Sequence, residues 1–389
     1  MMDDETIRKK TEFWNAALVC FSQFGTAFAF NFMYVFLPFY ITAISPYGPR
    51  GTLLWTGLIM GCTGLCLAVT APVWGTLTHR FNPKLLFVTG ILLQAVLIAL
   101  MGLFRDVHVL FILRILQGTS GGVSTIALII ISVSSSSEKR TVHLGLLQSA
   151  LTLGQLIGPL AGAFSVALLG YRWSFMSAAL VLFAAFLFCY LYVADVPPLP
   201  RDTKSSVQSF LDKRTLTGWV LCLAATIHLM FLPAIFPLVS RGFGLDKEIA
   251  LTWAGIIVML YTSTSMIGTY LWGYVAGRMG VRKILNLLLV SGIALPALLV
   301  FTKSLFFFTV VIMLEAGMMA AVIPLTISIF AAEPKGGTIG FINASRFVGM
   351  ALGPILATSL VAFANLPTFY LSISVITLLA YLGFRAFLR

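Results

Sequence analysis

Residues 84–104, KLLFVTGILLQAVLIALMGLF, carry one charge at Lys84 and none in the twenty positions that follow. Wound as an α-helix, about 20 apolar residues at ~1.5 Å each match the ~30 Å hydrocarbon core of a bilayer. Twelve such runs fill the chain, at 13–44, 53–78, 84–104, 107–133, 141–169, 172–194, 216–240, 250–276, 284–302, 304–332, 338–364 and 366–388. A membrane β-barrel would show alternating segments of about 10 residues; these runs do not alternate, so the spans are helical. Hydrophobic residues make up 59% of the chain and charged residues 10%, against about 45–50% and about 25% in soluble domains. No water-soluble core hides that much apolar surface. The expected fold class is an all-α membrane protein with little length left for a soluble catalytic domain.

The opening MMDDETIRKKTEF is acidic as well as basic, and the run behind it exceeds a secretory signal's apolar core. It reads as a short cytoplasmic tail before an uncleaved first helix. The net charge of +12 could suggest nucleic acid, but its distribution points elsewhere. With both termini inside, cytoplasmic segments hold 17 Lys or Arg residues and outer loops six, while Arg114 and Arg346 fall inside helices. That bias is the positive-inside rule. It predicts orientation in a cytoplasmic membrane, with contact to anionic lipid as a secondary effect, and no nucleic-acid partner. Five cysteines, at 20, 62, 66, 189 and 222, lie in or near apolar runs. Cys62 and Cys66 share a helix face, but no histidine or carboxylate neighbours them in sequence, so neither a metal nor a cofactor is expected.

Internal similarity is the most informative pattern. WTGLIMGCTGLCLAVTAPVWGTLTHR begins at Trp55 and WAGIIVMLYTSTSMIGTYLWGYVAGR at Trp253. Trp55/Trp253, Gly57/Gly255, Trp74/Trp272, Gly75/Gly273 and Arg80/Arg278 are each 198 apart. Further on, Glu138/Glu333, Arg140/Lys335, Gly145/Gly340, Gly154/Gly349, Gly158/Gly353 and Pro159/Pro354 are each 195 apart, so the second half lacks three residues. The chain therefore reads as two six-helix halves, 1–194 and 216–389, joined by a polar cytoplasmic linker at 195–215. Such a parallel duplication sets the halves around an axis along the membrane normal and encloses a midplane cavity.

Three motifs carry a family resemblance. GTLTHRFNPK (75–84) and GYVAGRMGVRK (273–283) match a G-x-L-x-D-R-x-G-R-K loop; Arg114, Gln117 and Gly118 match R-x-x-Q-G; Gly154, Gly158, Pro159 and Gly162 match G-x-x-x-G-P-x-x-G. In this order, with the repeat, the chain resembles the major facilitator superfamily over its full length, and its twelve-helix drug/proton antiporter branch in particular. The resemblance implies two pseudo-symmetric six-helix bundles around a central cavity, lined by the first, fourth, seventh and tenth spans. It also implies a proton-coupled carrier working by alternating access. The loop motif's acid, which in the family latches the cytoplasmic face, is His79 in the first copy and Gly277 in the second. His79 reads as a pH-sensitive latch or as a solvated loop histidine. Arg80, Lys84, Arg278, Arg282 and Lys283 remain as latch residues or as ordinary inside anchors.

The glycines of the fifth span recur every four residues on one face, and Pro159 bends that helix. The pattern returns at Gly349, Gly353 and Pro354. Two readings stand: a smooth surface on which the halves slide, or close packing with a kink. In the family the first copy is associated with exporters.

A charge at a helix centre costs about 2.5–3.5 kcal/mol on insertion scales, so the buried ionisable list is short: Arg114, His228, Glu315 and Arg346. Helical spacing puts Arg114, Gln117 and Gly121 on one face, Gln148, Thr152, Gln155 and Pro159 on another, and Asn343, Arg346 and Met350 on a third. Asn31 and Tyr34 precede Pro38 in the first span. Glu315, pseudo-equivalent to Gln117 at a separation of 198, is the only carboxylate expected deep in the membrane. Burial disfavours a charged carboxyl and a nearby arginine favours it; a group held between the two can carry a proton. Two readings stand: Glu315 carries the coupling proton while Arg114 tunes it or holds an anionic group of the solute, or Arg114 caps carbonyls and fixes the fourth span with Glu315 as its structural ion-pair partner. Two arginines against one glutamate, with Gln23 and Asn31 standing where acids would serve a cation, favour an amphipathic solute that is neutral, zwitterionic or anionic.

The leading function is therefore proton-coupled export of small organic molecules by a monomer in lipid. Uptake of an organic anion by proton symport and flipping of a lipid or lysolipid are the alternatives. No G-x-x-x-x-G-K-[ST] loop supplies ATP drive and no H-E-x-x-H or similar cluster appears, so an enzyme is not expected.

Overall fold

A computed structural model describes residues 4–195, 213–330 and 336–388, and among them every regular element is an α-helix. In chain order these are α1 (Asp4–Ile44), α2 (Pro49–Leu77), α3 (Pro83–Leu103), α4 (Val107–Thr119), α5 (Val123–Ser134), α6 (Arg140–Tyr192), α7 (Lys213–Met230), α8 (Leu232–Gly242), α9 (Lys247–Met279), α10 (Val281–Leu299), α11 (Leu305–Phe330), α12 (Gly336–Phe363) and α13 (Leu366–Leu388). Among the described residues, ten stretches are long and apolar enough to cross a bilayer, and α7 with α8, bent by 42°, form an eleventh when taken as one span. A twelve-span division rests on reading α6 as two helices that meet at Gly170. That residue sits at φ 75°, ψ 170°, in the region where a Cβ is strained. Gly280, at φ 93°, likewise joins α9 to α10 with no loop between them. The protein is an integral membrane protein, and large apolar side chains such as Leu168 and Tyr270 stay about four-fifths exposed because lipid, not water, covers them.

Two of the apolar runs are broken where hydropathy gives no warning. The run 107–133 divides at Ser120–Gly122 into α4 and α5, and 216–240 divides at Phe231, just ahead of Pro233. A break inside a bilayer exposes carbonyls that lipid cannot satisfy. In the first break neighbouring helices supply the donors. Thr70 Oγ1 reaches Gly118 O at 3.4 Å, Trp74 Nε1 donates to Thr119 O at 2.6 Å, and Gln94 Nε2 donates to Ser120 O at 3.3 Å. A Cβ on Gly122 would fall on the Trp74 side chain, so glycine there lets the indole seat.

Side-chain caps set the helix starts. Asn82 Oδ1 accepts the Lys84 N–H at 2.8 Å ahead of Pro83, and Asp106 Oδ1 accepts the N–H groups of His108 and Val109 at 2.8 and 3.0 Å. Asn365 Oδ1 accepts the Thr368 N–H at 2.9 Å beside α13. The hydrogen bonds from the Val109 and His108 amides hold the Asp106 carboxyl below the usual carboxylate range. A group depressed in the folded state contributes stability above its unfolded titration and loses it as pH falls through the folded one. Asp106→Asn, which keeps the acceptor, is therefore expected to flatten this part of the acid-side stability curve, and Asp106→Ala to lower thermal stability at neutral pH as well. Equal thermal midpoints for all three proteins across the acid range would contradict this role.

Contacts divide the chain into two compact units: Met1–Leu37 with Val69–Asp202, and Pro38–Ala68 with Thr203–Arg389. The boundary differs from a cut at the linker because the first half of α2 packs, inside the second unit, on the backbone of α12. A Cβ on Gly61 would lie 2.5 Å from Ala351 O, and one on Gly64 would lie 2.7 Å from Phe347 O. Gly57 meets Thr358 in the same way. The second unit's apolar centre is built from Leu221, Leu285, Leu288, Leu289, Val322 and Phe384. Residues 196–212, which hold most of the expected linker, lie outside the described residues, as do Glu333 and Lys335.

Candidate functional site

In the first unit the polar centre is built on α4 and α1. Arg114 is fully buried, and its Nη1 donates to Gln117 Oε1 at 2.6 Å, one turn further along α4. The guanidinium lies 5.5 Å from the centroid of the Phe30 ring on α1, close enough for a cation–π contact. Phe30 stacks on Tyr34 at 5.5 Å and 19°. Arg114 is thus held by an amide and an aromatic face, with the broken segment Ser120–Gly122 directly beyond. Asn31 is half-buried and turns its amide back onto Ala27 O at 2.8 Å. Gln148 and Gln155 of α6 are exposed, whereas Pro159 on the expected common face is buried. That face is therefore split by its environment.

In the second unit the polar centre joins α7, α11 and α13. His228 sits one turn before the α7–α8 break, with its side chain wholly enclosed, and Glu315 on α11 is nearly so. His228 Nδ1 is 2.6 Å from Glu315 Oε1, and His228 Nε2 is 2.7 Å from Thr377 Oγ1 on α13. Thr377 in turn donates to Ile373 O at 3.0 Å. Glu315 Oε2 has no hydrogen-bond partner among the described residues. The partner of Glu315 inside its own unit is therefore a histidine, a pairing that an arginine-centred reading of the sequence did not offer. On α12, Arg346 Nη1 donates to Asn343 Oδ1 at 3.1 Å, and Arg346 is exposed.

Both glycine motifs face inward within their units. On α6, a Cβ at Gly154 would lie 2.6 Å from Phe24 O, one at Gly158 would lie 2.9 Å from Phe28 O, and one at Gly162 would fall on the Phe32 carbonyl. On α12, Gly349 and Gly353 meet Thr226 Cβ at 2.6 Å and Met230 Cβ at 3.0 Å on α7. So the fifth span packs on the first, and its repeat packs on the seventh; Pro159 and Pro354 lie within those helices. The geometry supports the close-packing reading of the motif. The loop motifs are more open. Gly75 and Gly273 face free space, Arg80 is exposed, His79 is half-buried, and Arg278 lies 4.4 Å above the Tyr274 ring. Lys84 Nζ is 3.8 Å from Asp195 Oδ1, and Asn82 Nδ2 donates to the same atom at 3.3 Å. An acid after the sixth span thus meets the first loop motif, in which His79 takes the usual acid's place.

Several placed residues had no sequence signal. Thr377 is one of many threonines in apolar runs. Glu12 Oε1 accepts from Ser136 N at 2.8 Å and Ser136 Oγ at 3.0 Å, beside the buried pair Ser135–His143 at 2.7 Å. Gln23, which the sequence did single out, is fully buried with neither amide atom hydrogen-bonded among the described residues. All five cysteines are free, and no cluster of three or more metal-binding side chains occurs among the described residues.

Residues 19–314 and 254–389 match the description of the Major Facilitator Superfamily, and the chain belongs to that family. It is 25% identical over 358 residues to the multidrug resistance protein MdtG of Klebsiella pneumoniae (strain 342), covering 90% of this chain and 87% of the relative. It is 25% identical over 401 residues to MdtG of Dickeya zeae (strain Ech586), covering 100% and 97%. Among solved structures, the POT family transporter PepTSo superposes with a TM-score of 0.79 at 12% identity, covering 96% of this chain and 97% of that one. The fold is that of the superfamily, and the protein is a membrane transporter rather than an enzyme.

Proposed function

We propose that this chain is a proton-coupled exporter of small amphipathic organic molecules that are neutral, zwitterionic or anionic. It works by alternating access, as a monomer, in a bacterial cytoplasmic membrane with both termini inside. The observation that carries export is the likeness, along nearly the whole chain, to relatives named multidrug resistance proteins. Coupling rests on Glu315, the carboxyl paired with His228 at membrane depth. Ionisable groups so placed are expensive in lipid and mark proton and solute paths. Arg114 with Gln117, Asn31, Tyr34 and Gln155 supplies the first half's polar contacts, and Arg346 with Asn343 the second half's. An exposed arginine inside a membrane helix calls for a wet surface. Inward charge bias sets the orientation.

The test is transport in proteoliposomes under an imposed pH gradient, screened with organic cations, neutral amphiphiles and organic anions. The expected result is solute movement against the direction of the protons, strongest for neutral or anionic compounds. Co-movement of anion and proton would replace export by symport. Lipid movement indifferent to the gradient would replace it by a flippase.

A further inference from the structure

The contacts of the His228 ring limit where its protons can be. A hydroxyl has one hydrogen to give. Thr377 gives its own to Ile373 O at 3.0 Å. With that hydrogen on Ile373 O, the 2.7 Å contact to His228 Nε2 has Thr377 Oγ1 as acceptor and a hydrogen on Nε2; with the hydroxyl turned to the ring instead, Nε2 accepts and the ring hydrogen sits on Nδ1. Only one further proton fits between Nδ1 and Glu315 Oε1, 2.6 Å apart. It lies on nitrogen, giving an imidazolium–carboxylate pair, or on oxygen, giving a neutral acid beside a neutral imidazole. Both forms have zero net charge. The opposite tautomer, with Nδ1–H facing a carboxylate, would leave an uncompensated buried anion, the costly case. The surroundings of Glu315 Oε2 favour the neutral acid of the two forms. That oxygen is buried with no donor among the described residues, and an ionised carboxylate with a bare oxygen loses far more than the carbonyl of a neutral acid.

We propose that Thr377 is a positioning residue. By holding the hydrogen on His228 Nε2, it makes Nδ1 the acceptor for Glu315, so the transported proton is carried on the glutamic acid. The transfer balances simply. Glu315 Oε1–H is the loaded state, and its O–H bond breaks when water reaches the pair, giving hydronium and a carboxylate. Tyr370 on α13 lies within range of the Glu315 charge and supplies no cation to hold the carboxylate. The proposal rests on Glu315 being the coupling group.

The test pairs a structural readout with a functional one, on the full chain in lipid nanodiscs and in proteoliposomes. Nitrogen NMR of isotope-labelled histidine, assigned with His228→Gln, is expected to show protonated Nε2 and acceptor-type Nδ1 in the wild type. Thr377→Val should lose that preference and Thr377→Ser should keep it. The pH of half-maximal gradient-driven transport should move by about one unit in Thr377→Val, a tenfold change in proton affinity, with KM for solute unchanged and with recovery in Thr377→Ser. A wild-type signal with hydrogen on Nδ1 and a bare Nε2, or one unaltered by Thr377→Val, would overturn the assignment. An altered tautomer with an unmoved transport profile would also overturn it. Should the wild type prove insensitive to the gradient, the coupling reading falls instead, and the tautomer spectra still decide what Thr377 does.

Discussion

Glu315→Gln is expected to lower gradient-driven transport by on the order of a hundredfold or more, the range seen when a proton-transferring side chain is removed. Solute binding should stay within about threefold, because the substitution removes a proton and no volume. The amide keeps the shape of the neutral acid. Its nitrogen can donate to His228 Nδ1 across the 2.6 Å contact now made by Oε1, so the protein should fold and bind solute. What it cannot do is release a proton. Solute-for-solute exchange, which needs no net proton movement, should therefore survive in this variant while accumulation against a gradient fails. Glu315→Ala is a poorer probe, since it would leave His228 without its partner in a fully enclosed site. Full accumulation by Glu315→Gln would remove this residue from the coupling mechanism.

The fold was largely legible because two strong physical signals agree. Long uncharged runs such as 85–104 leave no alternative to membrane helices, and the 198-residue spacing of Trp55/Trp253 and Trp74/Trp272 gives the duplication. The breaks between α4 and α5 and before α8 were not legible, because hydropathy is blind to hydrogen-bond geometry. Ser120, Gly121 and Gly122 read as small residues of a continuous span, and only the donors Thr70, Trp74 and Gln94, brought from other helices, make the break tolerable. At the candidate site the sequence named the members and missed the pairing. His228 and Glu315 are 87 residues apart, and nothing local selects the histidine over Arg114 as the glutamate's neighbour. Thr377 carries no signal at all, since its role exists only through the ring it touches. The same limit applies to the glycine motif. Spacing showed that Gly154, Gly158 and Gly162 share a face, but not that α1 covers that face.

That face yields the second large effect. Gly162→Ala is expected to destabilise the protein by several degrees in thermal midpoint, because overpacking costs about 1–3 kcal/mol or more. The added methyl would fall on the Phe32 carbonyl, and backbone of a packed helix cannot swing aside as a side chain can. Gly154→Ala should behave similarly, at 2.6 Å from Phe24 O. In the repeat, Gly353→Ala should be milder, since its nearest atom is Met230 Cβ at 3.0 Å. Gly75→Ala provides the control: its Cβ enters open space in a helical residue, where alanine is favoured over glycine by about 0.5–1 kcal/mol, so its midpoint should hold or rise. The series separates the two meanings of the motif. If these glycines serve packing within one unit, Gly162→Ala loses stability first, and transport falls in proportion to folded protein. If they instead provide a sliding face, the variant should keep the wild-type midpoint and transport more slowly per folded molecule. The first outcome is expected, because the space a sliding partner would need is already filled by α1 of the same unit.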